Sequence, residues 1–114
     1  MIIELIRSWN ILEQFLATIV IVWIIAHILK YIFKTSRPPE SDLKTPGFPS
    51  AHTMTAFAGV VFLNGYMVVI GFLGAWLVGW SRLSKKHHSY FDCVGGMVLG
   101  VLLGGLARWL FMII

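Results

Sequence analysis

Residues 90–114 of the chain are YFDCVGGMVLGVLLGGLARWLFMII, a long apolar stretch with Gly96, Gly100 and Gly104 at every fourth position. A stretch of this length can cross the hydrocarbon core of a bilayer, which takes about 20 helical residues. In lipid, small residues four apart let a second helix approach closely. We therefore predict a membrane-spanning helix from about Tyr90 to Ile114 that carries a packing face.

Three further apolar segments precede this one, at about Ile11 to Phe33, Ser50 to Leu63 and Tyr66 to Trp80. The last two are short, and Asn64-Gly65 between them predicts a tight turn. The segments lack the period-two alternation of strands, and an open sheet would leave unpaired backbone groups in lipid. We expect an all-α fold, an integral-membrane antiparallel bundle of about four transmembrane helices, in a single domain over residues 1–114.

The composition favours the same class of protein. Of 114 residues, 58% are hydrophobic and 12% are charged, whereas a soluble domain has about 25% charged residues. The net charge is +4, but the aromatic residues lie in apolar runs and not among the cations, so we predict no nucleic-acid partner. This charge fits anionic headgroups or phosphates better. We expect a multi-pass protein of the cell membrane.

A first polar motif lies at the end of the first apolar segment. Lys30 and Arg37 are seven residues apart, so they point the same way if the helix continues as far as Arg37. Pro38 would then stop the helix just beyond. The alternative is that both are ordinary cations that reach from a helix end to the membrane surface.

A second polar motif, Pro49-Ser50-Ala51-His52, opens the second apolar segment. Ser50 is a natural N-cap, which places Ala51 and His52 in the first turn of a helix. Backbone N–H groups without intrahelical partners, together with the helix dipole, make such a turn an anion site. The alternative is that His52 is merely an interfacial residue.

A third polar motif joins the last two segments through Ser81-Arg82, His88 and Asp92. His88 and Asp92 are four residues apart, so on a helix the carboxylate can reach the imidazole and fix its tautomer. The other ring nitrogen is then available as a nucleophile or base. The planar guanidinium of Arg82 suits phosphate oxygens. The alternative is a solvated basic loop followed by an acidic residue that caps the helix.

The order of the helices brings these motifs together. In an up-and-down bundle all three lie at one membrane face, while the termini and the Asn64-Gly65 turn lie at the other. Of the nine Lys and Arg residues, all except Arg7 and Arg108 are then on the face with the motifs. We therefore predict a single polar site at that face.

The three motifs resemble the signature of the type 2 phosphatidic acid phosphatase superfamily, which is K-x6-R-P, then P-S-G-H, then S-R-x5-H-x3-D. Ten of its eleven specified positions agree, and Ala51 replaces the glycine. The resemblance covers residues 30–92. If residue 51 is ordinary helical backbone, alanine costs little there; if it needs a positive φ or very close phosphate contact, activity should fall. We expect the first.

The resemblance implies a role for each matched residue. His88 would be the nucleophile that forms a phosphohistidine, and Asp92 would orient and stabilise it. His52 would protonate the leaving group and then activate water. The phosphoryl oxygens would be held by Lys30, Arg37 and Arg82, with help from Ser50, Ser81 and the backbone N–H of Ala51. Neither a cofactor nor a metal ion is required by this scheme.

The substrate expected from the resemblance is a lipid phosphomonoester or pyrophosphate, such as phosphatidic acid, phosphatidylglycerophosphate or a polyprenyl diphosphate. Two alternatives remain open. The phosphoryl group could pass to another lipid or sugar, in a phosphotransferase, or the chain could be a non-catalytic protein that binds anionic lipid. The apolar outer faces of the bundle could also form a homo-oligomer.

Overall fold

The computed structural model describes residues 1–34, 39, 46–86 and 88–114. These residues form helices and contain no strand. The all-α prediction is confirmed, and four of the helices correspond to the four predicted segments. The helices are α1 (Ile2–Arg7), α2 (Ile11–Phe33), α3 (Ala51–Val60), α4 (Met67–Ser84) and α5 (Tyr90–Ile113).

Three helices, α2, α4 and α5, are long and apolar enough to cross a bilayer. The fourth, α3, has 10 residues and is therefore about 15 Å long at 1.5 Å per residue, half of the hydrocarbon thickness of about 30 Å. The bundle thus combines three candidate membrane-spanning helices with a short one that does not span by itself. Together they are a multi-pass arrangement.

The short helix α3 lies at the centre of the bundle and packs against α2, α4 and α5. Most of its side chains are buried, including Met54 and Phe57. Large apolar side chains such as Leu73, Leu77 and Leu102 are instead exposed on the outside. A surface of this kind is suited to lipid, which is as apolar as a leucine side chain.

Helices α2 and α3 are antiparallel, and so are α3 and α4. Gly59, near the end of α3, faces Phe15 of α2, whereas Gly79, near the end of α4, faces Thr53 in the first turn of α3. The connection from α3 to α4 turns at Gly65, whose φ of +62° is one that glycine adopts readily. The predicted tight turn at Asn64-Gly65 is confirmed.

The glycine face of α5 packs directly on the backbone of α3. A Cβ atom added to Gly96 would lie 2.9 Å from the Ser50 carbonyl oxygen, and one on Gly104 would lie 2.9 Å from Ala58 Cα. Both residue numbers rise in the same direction, so α3 and α5 run parallel. The predicted packing face is confirmed, and it fixes the first turn of α5 beside the first turn of α3.

Helix α2 ends at Phe33, as the apolar segment predicted. Lys34 adopts the left-handed conformation (φ 53°), and its backbone N–H donates to the Lys30 carbonyl oxygen. A left-handed residue closes the last turn of a helix. The condition under which Lys30 and Arg37 would point the same way, a helix that continues to Arg37, is therefore not met. Arg37 and Pro38 lie outside the described residues.

The opposite end of the bundle holds the two remaining arginines, as predicted. Arg108 donates from Nη1 to the Val61 carbonyl oxygen and from Nη2 to Asn64 Oδ1, the latter at 3.2 Å. Arg7 Nε donates to the Ile114 carbonyl oxygen at 2.6 Å. Arg108 thereby satisfies a carbonyl group at the C-terminal end of α3.

Candidate active site

The second and third polar motifs meet where α3 and α5 begin. The Ser50 backbone N–H donates to the Asp92 carbonyl oxygen at 3.1 Å, and both residues are buried. The close contact between the glycine face of α5 and the α3 backbone makes this hydrogen bond possible. Residues 42 positions apart in sequence are thus held against each other.

His88 and Asp92 form a buried pair. Their side chains approach to 3.3 Å between His88 Nδ1 and Asp92 Oδ2, and the two residues are 3% and 2% exposed. The carboxylate therefore faces Nδ1, so the other nitrogen, Nε2, is the one oriented for chemistry.

The pair is built by a helix cap and not along a helix. Asp92 Oδ2 accepts from the Ser89 backbone N–H at 3.0 Å, and Ser89 Oγ accepts from the Asp92 backbone N–H at 3.2 Å. This reciprocal capping box starts α5 at Tyr90, so His88 precedes the helix. The predicted contact between His88 and Asp92 forms, but with His88 before the helix and not on it. Asp92 caps the helix and contacts the imidazole at the same time.

Ser50 caps α3 as predicted. Its Oγ accepts from the Thr53 backbone N–H at 3.4 Å and donates to Thr53 Oγ1 at 3.0 Å. Ala51 is the first residue of the helix, and its methyl group is buried in a cluster with Val22 and Ala26. Residue 51 is therefore ordinary helical backbone, which is what we expected for the position where the signature has glycine.

His52 projects from the first turn of α3 towards α2. It is exposed, and its ring packs against Trp23 edge to face, with 5.3 Å between ring centroids. Trp23 also contacts His27 at 4.7 Å, and His27 Nδ1 lies 2.9 Å from the Trp23 carbonyl oxygen. The indole of Trp23 thus limits the orientations that the His52 ring can take.

Two of the predicted phosphate-binding cations are buried, at least in part. Lys30 is 3% exposed, and its Nζ donates to the carbonyl oxygens of Pro46 and Gly47 at 3.1 and 3.4 Å. Arg82 lies in the last turn of α4, and its buried Nε has no hydrogen-bond partner among the described residues. A buried donor without an acceptor is costly, and an anion would remove that cost.

Aromatic packing holds the segment that leads into the second motif. The Phe48 ring is stacked on Phe91 with 4.7 Å between centroids and meets Phe33 edge to face at 5.2 Å. Phe48 also covers Gly95, where a Cβ atom would overlap its ring. This contact ties the residues before Ser50 to α2 and α5.

Comparison with known protein families gives an independent result. The model of the PAP2 superfamily matches residues 12–113, nearly the whole chain. The chain belongs to the PAP2 superfamily. Searches of curated proteins and of solved structures returned no match. Membership supports a phosphatase acting on lipid phosphoesters, and it confirms the resemblance inferred from the three motifs.

In this PAP2 protein the structure joins His88, Asp92 and Ser50 through direct hydrogen bonds. Arg82 follows Ser81, whose Oγ donates to the Val78 carbonyl oxygen of its own helix at 2.7 Å. Arg37 lies outside the described residues. Among the described residues, no group of three or more His, Cys, Asp or Glu is placed to hold a metal ion.

Two contributors to the site were missed in the sequence. Ser89 caps α5 and shares the Asp92 carboxylate with His88, and Thr53 is the hydrogen-bond partner of Ser50. The capping box has a sequence signal, Ser89-x-x-Asp92 before an apolar run. Thr53 has none, since a threonine in an apolar segment is equally compatible with core packing.

Proposed function

We propose that this PAP2 protein hydrolyses a lipid phosphomonoester or pyrophosphate without a metal ion, through a phosphohistidine on His88. The observation that carries the proposal is the buried contact between His88 Nδ1 and Asp92 Oδ2 at 3.3 Å. A histidine oriented by a carboxylate is the arrangement that an imidazole nucleophile needs. Membership of the PAP2 superfamily supports the same chemistry.

In the first step, His88 Nε2 attacks the phosphorus atom, and the bond from phosphorus to the lipid oxygen breaks. Asp92 stabilises the positive charge that develops on the imidazole. His52 donates a proton to the departing oxygen, and this general-acid role contributes about 10²- to 10⁴-fold to such a reaction. The products are phosphorylated His88 and the lipid alcohol, or the lipid monophosphate when the substrate is a pyrophosphate.

In the second step, His52, now neutral, takes a proton from water, and the resulting hydroxide attacks the phosphorus atom. The bond between nitrogen and phosphorus breaks, which releases inorganic phosphate and restores His88. One histidine therefore serves as acid and then as base, and the site returns to its starting protonation state.

Charge on the phosphoryl oxygens would be neutralised by Arg82 and Lys30, with Arg37 as a further cation. The buried Arg82 Nε, which lacks a partner among the described residues, is the donor best suited to one of these oxygens. Preorganised donors of this kind lower the barrier because they need no reorganisation during the reaction. Ser50, Ser81 and the Ala51 backbone N–H complete the proposed phosphate site.

Phosphatidic acid, phosphatidylglycerophosphate and polyprenyl diphosphates are the candidate substrates. The test measures phosphate release by the purified protein in detergent from each of these lipids, with EDTA present. We expect release from at least one lipid that EDTA does not reduce and that His88→Ala abolishes. The matched control is His87→Ala, which removes the histidine that precedes His88 in the sequence and has no proposed role, and it should retain activity.

Release that EDTA abolishes, or that survives in His88→Ala, would contradict the proposed mechanism. Transfer of the phosphoryl group to an added lipid or sugar alcohol, in place of release as inorganic phosphate, would favour the phosphotransferase alternative. The absence of both products with every lipid would favour a non-catalytic protein.

A further inference from the structure

An apolar cavity of about 200 Å³ lies between α3, α4 and α5. Its walls are formed mainly by large apolar side chains, while Thr53 and Tyr90 carry hydroxyl groups. The large side chains in the wall include Phe57, Trp76, Trp80, Val94 and Met97. We call this cavity the α4–α5 groove.

The groove faces the side of the bundle. Helix α4 packs mainly on α3 and only lightly on α5, so the two helices that flank the groove leave a gap between them. Trp80 is 64% exposed and Val94 is 53% exposed. Because α4 and α5 are candidate membrane-spanning helices, this gap opens towards lipid and not towards water.

One end of the groove adjoins the proposed phosphate site. Thr53, in its lining, is hydrogen-bonded to Ser50. Two further lining residues are sequence neighbours of site residues: Cys93 follows Asp92, and Leu83 follows Arg82. A phosphate held at the site would therefore have an apolar channel leading away from it along the helices.

We propose that the α4–α5 groove binds a hydrocarbon chain of the substrate, which enters from the bilayer between these two helices. The inference rests on the proposed function. A lipid anchored by its phosphate at the membrane surface extends its chain along the bilayer normal, as the groove does. A chain in lipid gains little from the hydrophobic effect on moving into the groove, so the groove acts by orienting the scissile bond at His88.

A second apolar cavity of about 250 Å³ provides a comparison. It lies between α2 and α5 and reaches Ile6 and Ile114 at the end of the bundle opposite the site. None of its lining residues adjoins Ser50 or Asp92 in the sequence. Its position therefore does not connect it with the chemistry.

The test compares two alkyl phosphomonoesters, dodecyl phosphate and ethyl phosphate, which share the same reacting bond and differ in chain length. Val94→Trp fills the groove from α5, and Gly79→Leu fills it from α4. A Cβ atom added at Gly79 makes only ordinary contacts of 3.7 Å with Thr53. Val98→Trp is the matched control: Val98 lies one turn further along α5, is similarly exposed at 48% and is not part of the lining.

In each filling variant we expect the ratio of kcat/KM for dodecyl phosphate to kcat/KM for ethyl phosphate to fall about tenfold. This is the order of effect that overpacking a well-fitted apolar contact produces. Val98→Trp should leave the ratio unchanged. Hydrolysis of ethyl phosphate by each variant shows that its site is assembled.

An unchanged ratio in both filling variants, or an equal fall with Val98→Trp, would overturn the groove proposal. If the unmodified protein releases phosphate from neither ester, phosphate release from the lipids named above decides whether the proposed function fails. Binding of dodecylphosphonate, which has no ester bond to hydrolyse, then tests the groove without catalysis. Weaker binding to Val94→Trp than to Val98→Trp would support the groove, and equal binding would overturn it.

Discussion

Replacing Gly100 by alanine tests whether the α3–α5 contact assembles the site. The new Cβ atom would overlap the Met54 carbonyl oxygen and lie 3.0 Å from Met54 C and 3.1 Å from Met54 Cα. Carbon atoms prefer separations of about 3.5–4.0 Å, and the overlap with the carbonyl oxygen is larger still, so the helices must move apart by about 1 Å. Overpacking of this kind costs about 1–3 kcal/mol, and the better helix propensity of alanine offsets about 1 kcal/mol.

Gly105→Ala is the matched control, because an added Cβ atom there meets nothing within 4 Å. The same residue change on the same helix should then stabilise the protein by about 0.5–1 kcal/mol. Thermal unfolding in detergent, followed by tryptophan fluorescence, should give Gly100→Ala the lower Tm and Gly105→Ala the higher, several degrees apart. Because the contact also holds Ser50 against Asp92, kcat of Gly100→Ala should fall by as much as about a hundredfold. Equal Tm values for the two variants would refute this account of the packing.

Three further predictions concern single side chains. Asp92→Asn keeps an oxygen that can accept the hydrogen bond of the helix cap but removes the negative charge that orients His88. We expect kcat to fall about a hundredfold or more with little change in Tm. A large loss of Tm would instead indicate a structural role for Asp92. Arg108→Met removes two hydrogen bonds at the opposite end of the bundle and should cost about 1–3 kcal/mol of stability, measured as Tm, while KM stays constant. Trp23→Leu removes the ring that packs against His52 and should lower kcat about two- to tenfold, since such aromatic contacts contribute about 0.5–1.5 kcal/mol. Trp23→Phe keeps an aromatic ring and should restore much of the lost kcat. An unchanged kcat in Trp23→Leu would contradict a positioning role for Trp23.

The helices were largely predictable because each has a local sequence signal. Apolar length marked α2 and α5, whose limits agree with the prediction to within a residue. Asn64-Gly65 marked the turn before α4, and Ser50 marked the start of α3 through its side-chain cap. Glycine spacing on α5 predicted the packing face. These features depend on neighbouring residues alone.

Other features depend on tertiary contacts and could not be read from the sequence. Lys30 matched a phosphate-binding position, but its Nζ contacts the carbonyl oxygens of Pro46 and Gly47, which are 16 and 17 residues away in the sequence. Lys34 ends α2 in a left-handed conformation, which lysine adopts only where the surroundings favour it. The sequence of α3 did not reveal that this short helix is the centre of the bundle.

The most direct test of the central claim is to detect the phosphorylated histidine itself. The protein would be mixed with a lipid phosphate carrying radioactive phosphorus and quenched in alkaline detergent, because the bond between nitrogen and phosphorus survives alkali and breaks in acid. We predict acid-labile label on the peptide that contains His88, present in His87→Gln and absent in His88→Gln. Turnover of the lipid without any labelled protein, or label that persists in His88→Gln, would contradict the account.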